Sequence, residues 1–236
     1  MIDAFLFLLG LCSGSFLNVL IWRLNDEKAP KFWQGRSLCP RCKHKLSWRD
    51  NLPLLSFFIL RGRCRYCRKK ISWQYPLVEL ITALTFVAVG PNGVNLLIAG
   101  SFILIFFSDW IYGLIPVEAT VLLTVIGIVT KFSNWPIGLV GFLALLTLFV
   151  VTKGRGIGFG DVKLIFPLGL LLGFPNILLM FYVTSISGGL YALGLLLLKR
   201  KRFGETIALG PFLIIGTITA LCVPATPLLK QLLSFP

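Results

Sequence analysis

Residues 1–24 read MIDAFLFLLGLCSGSFLNVLIWRL, an apolar run whose first positive charge, Arg23, comes after it. A run of about 20 apolar residues is long enough to cross a bilayer as a helix. A cleaved secretory signal would carry its charges ahead of the run and a small-residue cleavage site behind it. Neither is present, so the segment reads as a retained first transmembrane helix with its N-terminus outside.

The same pattern recurs along the chain. Candidate spans are 2–22, 76–90, 95–112, 114–130, 136–152, 162–173, 175–198 and 206–223, punctuated by GPNGVN at 90–95, NWP at 134–136 and GFPN at 173–176. Of these, 76–90 and 162–173 fall short of roughly 20 residues, which tilt, local thinning or a partly re-entrant path would accommodate. The 236 residues are 56% hydrophobic, with a mean hydropathy of +0.87, too apolar for a soluble domain of this length. The expected fold is an all-α polytopic membrane protein with about eight transmembrane helices. Its expected parts are a first helix (1–22), a small cytoplasmic domain (23–75) and a membrane-embedded domain (76–236). No internal repeat and no low-complexity stretch is read.

The chain has 23 Lys and Arg against 9 acidic residues, a net charge of +14. Nucleic-acid binding would require that charge on the surface of a soluble module. With eight spans, segments 23–75, 153–163 and 199–205 are cytoplasmic and hold 14, 3 and 4 of the basic residues. That places 21 of 23 inside, leaving Lys131 and Lys230 outside. If 162–173 failed to cross, KRKR at 199–202 would move outside and only 17 would remain. The positive-inside rule therefore favours eight spans with both termini outside. The charge is an orientation signal, and no nucleic-acid partner is expected.

Cys39-Pro-Arg-Cys42 and Cys64-Arg-Tyr-Cys67 form two C-x2-C pairs with 21 residues between them. Four thiolates at this spacing close a tetrahedral zinc site, and a reducing cytoplasm argues against disulfides. A short charged segment has little core of its own, so a structural zinc would staple it. Four cysteines leave no open position for catalysis. Cys12 and Cys222 lie in apolar spans and read as small buried side chains. His44, the single histidine, reads as a solvated loop residue, and without a partner nucleophile it excludes Ser-His or Cys-His catalysis.

Acids within apolar sequence are costly and mark function by default. Asp3, Asp26, Glu27, Asp50 and Glu205 flank spans or lie in the polar segment and read as solvated surface. Glu79 and Glu118 begin spans and are expected to snorkel or hydrogen-bond at the interface, with a supporting role near the site as the lesser alternative. Asp109 closes LLIAGSFILIFFSD, and Pro116 breaks the chain seven residues later. Asp161 ends GRGIGFGD, where Gly158 and Gly160 permit close approach of a peptide, and Lys163 follows two residues on. Lys163 reads either as a charge partner for Asp161 or substrate, or as a positive-inside anchor. Charge counting alone puts both aspartates at the cytoplasmic face. Such a pair suits aspartic proteolysis: one ionised carboxylate takes a proton from water while its neutral partner hydrogen-bonds the scissile carbonyl.

The chain resembles the type IV prepilin peptidases, bacterial membrane aspartic proteases, over nearly its whole length. The matching pieces are GSFLNVLIWRL (14–24), the four cysteines with RGRCRYC, LSWRDNLPLLSF (46–57), ISWQYPLVEL (71–80), Asp109-x5-Ile-Pro116, GFGDVK (158–163) and GPFL (210–213). Ala208-Leu209 stands where the family commonly has Pro-Phe, a departure read as a matter of local packing. The resemblance implies cleavage of a basic leader from prepilins or pseudopilins of type IV pili or type II secretion. The cut would fall at the cytoplasmic face of the inner membrane, with Asp109 and Asp161 as the catalytic pair. Members with the cysteine-rich segment are often bifunctional, methylating the new N-terminus from S-adenosylmethionine, but no methyl-donor site is legible here. Competing readings are another GxGD protease of the presenilin type and an ion- or proton-coupled transporter. The first has its partner aspartate in a Tyr-Asp context and lacks the cysteines. The second is disfavoured because no acid lies at mid-membrane.

Overall fold

In a computed structural model the chain is all-helical, and residues 1–26, 29–30, 35, 37–154, 156–200 and 207–223 are described. The expectations for Glu27, Arg155, Lys201, Arg202, Glu205 and Lys230 lie outside these residues. The contacts divide the chain into two compact units, 1–107 and 108–236.

In the first unit, α1 (Ile2–Asn25) leads through the cysteine segment and short α2 (Leu55–Ile59) to α3 (Gln74–Val89) and α4 (Gly93–Tyr112). The last turn of α4 belongs to the second unit. α1 and α3 pack antiparallel because two glycines let their backbones touch. A Cβ on Gly10 would lie 2.5 Å from the Cα of Ala83, and one on Gly14 2.7 Å from the Cα of Glu79. This is a small-xxx-small interface, the contact that membrane helices favour where burial of apolar surface cannot drive them together.

The second unit holds α5 (Val117–Lys131), α6 (Trp135–Val151), α7 (Phe159–Leu172), α8 (Asn176–Leu197) and α9 (Gly210–Cys222). α7 packs against all four others, and Val162, Leu164, Ile165, Leu168 and Leu170 are wholly buried. Beyond Lys163 its residues are apolar on every side because protein surrounds them. That accounts for the shortness of the 162–173 candidate. At its far end Asn134 Nδ2 donates to the Leu170 carbonyl at 2.9 Å, satisfying a helix-end acceptor.

Among the described residues, four runs are long and apolar enough to cross a membrane: Ile2–Asn25, Gly93–Tyr112, Val117–Val151 and Asn176–Leu197. The third, 35 residues, is α5 and α6 joined through a 3-10 turn at Phe132–Asn134. Gln74–Val89 and Gly210–Cys222 are shorter apolar helices.

Three expectations are corrected. Cys12 and Cys222 are exposed on their helices rather than buried, as suits small apolar side chains whose environment is lipid. Asp50 is not solvated surface, since its side chain is only 3% exposed. Finally, the cysteine segment is an internal repeat. CPRCKHKLSW (39–48) and CRYCRKKISW (64–73) fold alike. Cys39 N–H donates to the His44 carbonyl (3.0 Å) and Cys64 N–H to that of Lys69 (2.9 Å); Lys43 N–H returns to Cys39 O (2.8 Å) and Arg68 N–H to Cys64 O (3.0 Å). Lys43 and Arg68 share the left-handed conformation, φ 55 and 58°. The pattern C-x2-C-[KR]-x-K-[LI]-S-W was visible in the sequence.

Candidate active site and metal centre

The four Sγ atoms of Cys39, Cys42, Cys64 and Cys67 lie within 4.8 Å of one another. Tetrahedral zinc at about 2.3 Å from each sulfur sets neighbouring sulfurs about 3.8 Å apart, so the cluster fits the metal with slight contraction. Burial pushes the Cys39 thiol up to about 11, while a backbone hydrogen bond from Lys69 holds Cys67 below its usual value. A dication among them would let all four act as thiolates. Asp50 ties the two knuckles together. It accepts from Ser47 Oγ (2.8 Å), Arg65 Nε (2.7 Å) and Tyr66 OH (3.2 Å). Although burial opposes it, hydrogen bonds from Ser47 and Arg65 hold Asp50 below the usual carboxylate range. His44 stacks on Tyr66 with ring centroids 3.7 Å apart; it is exposed and not among the clustered ligands.

Asp109 stands in the last turn of α4, where Gly113 in the left-handed region (φ 66°) ends the helix. Pro116 then caps α5. Asp161 is the third residue of α7, whose cap is Gly158. The two carboxylates are 6% and 7% exposed and lie within electrostatic reach of each other. Asp161 Oδ1 is buried with no hydrogen-bond partner among the described residues.

The glycines clear the space. A Cβ on Gly158 would sit 3.1 Å from Asp161 Oδ2, and one on Gly160 would sit 3.3 Å from the Cβ of Ile115, beside Pro116. The two motifs therefore meet: GFGD approaches the turn that follows Asp109. Lys163 Nζ lies over the Phe159 ring at 4.7 Å, and no Lys163–Asp161 ion pair exists among the described residues.

One residue of the site was not singled out from the sequence. Gly210 N–H donates to Asp109 Oδ2 at 2.8 Å, and a Cβ there would fall 2.7 Å from the same oxygen. This glycine opens GPFL, directly after the Ala208-Leu209 departure, and it touches the Asp109 carboxylate. Glu79, read as interfacial, is buried and accepts the Leu54 N–H at 2.8 Å.

Residues 8–91 match the bacterial Peptidase A24 N-terminal domain, and residues 96–193 match the type IV leader peptidase family. Among characterised relatives, the prepilin leader peptidase/N-methyltransferase of Aeromonas salmonicida (strain A449) is 32% identical over 257 residues, covering 91% of this chain and 88% of the relative. The protein of the same name from Aeromonas hydrophila is 33% identical over 256 residues, with the same coverage. That of Myxococcus xanthus (strain DK1622) is 34% identical over 222 residues, covering 85% of this chain and 64% of the relative. No solved structure matches the chain. On the sequence of both halves and the length of these alignments, the chain belongs to the type IV leader peptidase family.

Proposed function

We propose that the chain removes the basic leader from prepilins or pseudopilins, with Asp109 and Asp161 as the catalytic pair. The observation that carries this is the burial of two carboxylates, 52 positions apart in sequence, at helix ends within electrostatic reach of each other. Like charges so placed share a proton. One aspartate takes a proton from the attacking water; the other, neutral, hydrogen-bonds the carbonyl oxygen of the scissile bond and then protonates the leaving amine. The Gly210 N–H fixes one oxygen of Asp109, and Asp161 Oδ1 is the acceptor left for water or substrate. Gly158, Gly160 and Pro116 shape the approach, and Lys163 anchors the cytoplasmic end of α7.

The wider reading has eight spans, both termini outside and the pair at the cytoplasmic edge, where an apolar substrate helix would meet water. The positive charge of 23–75 supports it. Zinc at Cys39, Cys42, Cys64 and Cys67 is structural and takes no part in proteolysis. The relatives' second named activity would require S-adenosylmethionine. Among the described residues of the N-terminal unit one buried acceptor, Asn18 Oδ1, has no hydrogen-bond partner, and a single acceptor does not make a site for a nucleoside. The presenilin-type and transporter readings are not favoured, because the family matches cover the cysteine segment and both aspartates. Incubating detergent-purified protein with a prepilin tests the proposal. A product shortened by its leader is expected; an intact prepilin after prolonged incubation would overturn it.

A further inference from the structure

LPLLSFFIL (52–60) is an apolar run within the segment that joins α1 to α3, and neither zinc binding nor proteolysis uses it. It folds around α2, with Phe57 buried and stacked on Trp73 at 4.9 Å and on Phe58 at 5.9 Å. Around that ring, Leu55, Phe58, Ile59 and Trp73 are 59%, 62%, 70% and 71% exposed. A small domain standing free in water would not present such a group of large apolar side chains without a partner for it.

The depth of the run identifies the partner. Leu54 N–H donates to Glu79 Oε2 at 2.8 Å. Glu79 lies five residues beyond the start of α3 at Gln74, or about 7 Å along the helix axis. The Leu54 backbone takes φ 57°, a conformation rare for leucine, in making this contact. The start of α2 is therefore held at the level of the second turn of α3 rather than beyond its end. Arg49, Arg61 and Arg63 bracket the run and are exposed. Apolar and aromatic side chains rimmed by arginines, at the end of a membrane helix, are the chemistry of an interfacial anchor.

We propose that residues 52–60 with Trp73 seat in the cytoplasmic leaflet, their apolar side chains among the acyl chains and Arg49, Arg61 and Arg63 on anionic headgroups. This rests on the reading that α1 and α3 cross the bilayer with 26–73 on the cytoplasmic side. The bond to Glu79 and the contact with lipid together hold the zinc domain flat against the membrane.

The test uses the full chain in vesicles of equal parts phosphatidylcholine and phosphatidylglycerol, with photoreactive benzoylphenylalanine at position 58, 59 or, as control, 43. Irradiation should give lipid adducts at Phe58 and Ile59 at least about tenfold above those at Lys43. Adducts at 58 and 59 to protein, or none above the control, would overturn the proposal. In phosphatidylcholine alone the yield at Phe58 should fall by about threefold or more, and an unchanged yield would overturn the headgroup contact. Impermeant amine labelling of Lys43 checks sidedness separately. If Lys43 reacts only from the outer face, the orientation fails while the adducts at 58 and 59 still stand.

Discussion

Four thiols spaced within 29 residues close the knuckled segment, each pair set by a turn of its own. Asp109 and Asp161, by contrast, come together only because the end of α4 and the turn after it meet the first turns of α7 and α9, with a backbone N–H from a residue 101 positions away holding one of them. In the first region the chemistry is local, and a metal held there would supply the cohesion a small core cannot. In the second, cohesion comes from helices approaching at glycines, and the chemistry is a consequence of packing. The two regions should therefore fail separately and by different means.

The largest effect expected is on the metal. Changing Cys39 and Cys64 together to Ser should abolish zinc binding and unfold the knuckles, while leader cleavage persists in part. Elemental analysis and limited proteolysis read this; full metal retention would break the contrast. Next is Gly210→Ala. Its methyl would meet Asp109 Oδ2 at 2.7 Å, and displacing a positioned carboxylate should lower kcat/KM by about 10- to 100-fold. Zinc content should not change; an unaltered rate would mean that GPFL serves packing alone.

Much of the candidate metal centre was legible because spacing alone specifies it: two C-x2-C pairs need no knowledge of tertiary structure. The repeat that doubles them was equally legible in KLSW and KISW, but it was obscured by differences at Pro40, His44 and Arg65. The aspartates stood out as acids in apolar sequence, and GFGD marked its own glycines. Gly210 did not, because only the packing of α9 brings it to Asp109. The burial of Asp50 and Glu79 is hidden from the sequence for a related reason. A carboxylate's partners, Arg65 and Tyr66 for one and the Leu54 amide for the other, lie 15, 16 and 25 residues away. The shortness of α7 became intelligible once four helices were seen around it.

A smaller effect is expected from Gly14→Leu, whose Cβ would fall 2.7 Å from the Cα of Glu79. It should destabilise the N-terminal unit by about 1–3 kcal/mol in thermal unfolding, leaving the metal bound at low temperature. The smallest is Asp50→Asn. Because the folded-state pKa of Asp50 is depressed, its stabilisation is present above the unfolded value near 4 and is lost as pH falls through the folded value. Zinc release to a chelator should therefore be a few-fold faster in the variant, with a constant ratio from about pH 5 to 8. A ratio that varied across that window would assign the effect to another group.

The central claim is that Asp109 and Asp161 form one acid–base device. It is tested most directly by intact-mass analysis of a prepilin incubated with purified wild-type protein, Asp109→Asn or Asp161→Asn in parallel. The account predicts leader release by the wild type and a loss of about a thousandfold or more in each variant, with zinc content and membrane insertion unchanged. Cleavage by either variant at near wild-type rate would contradict it.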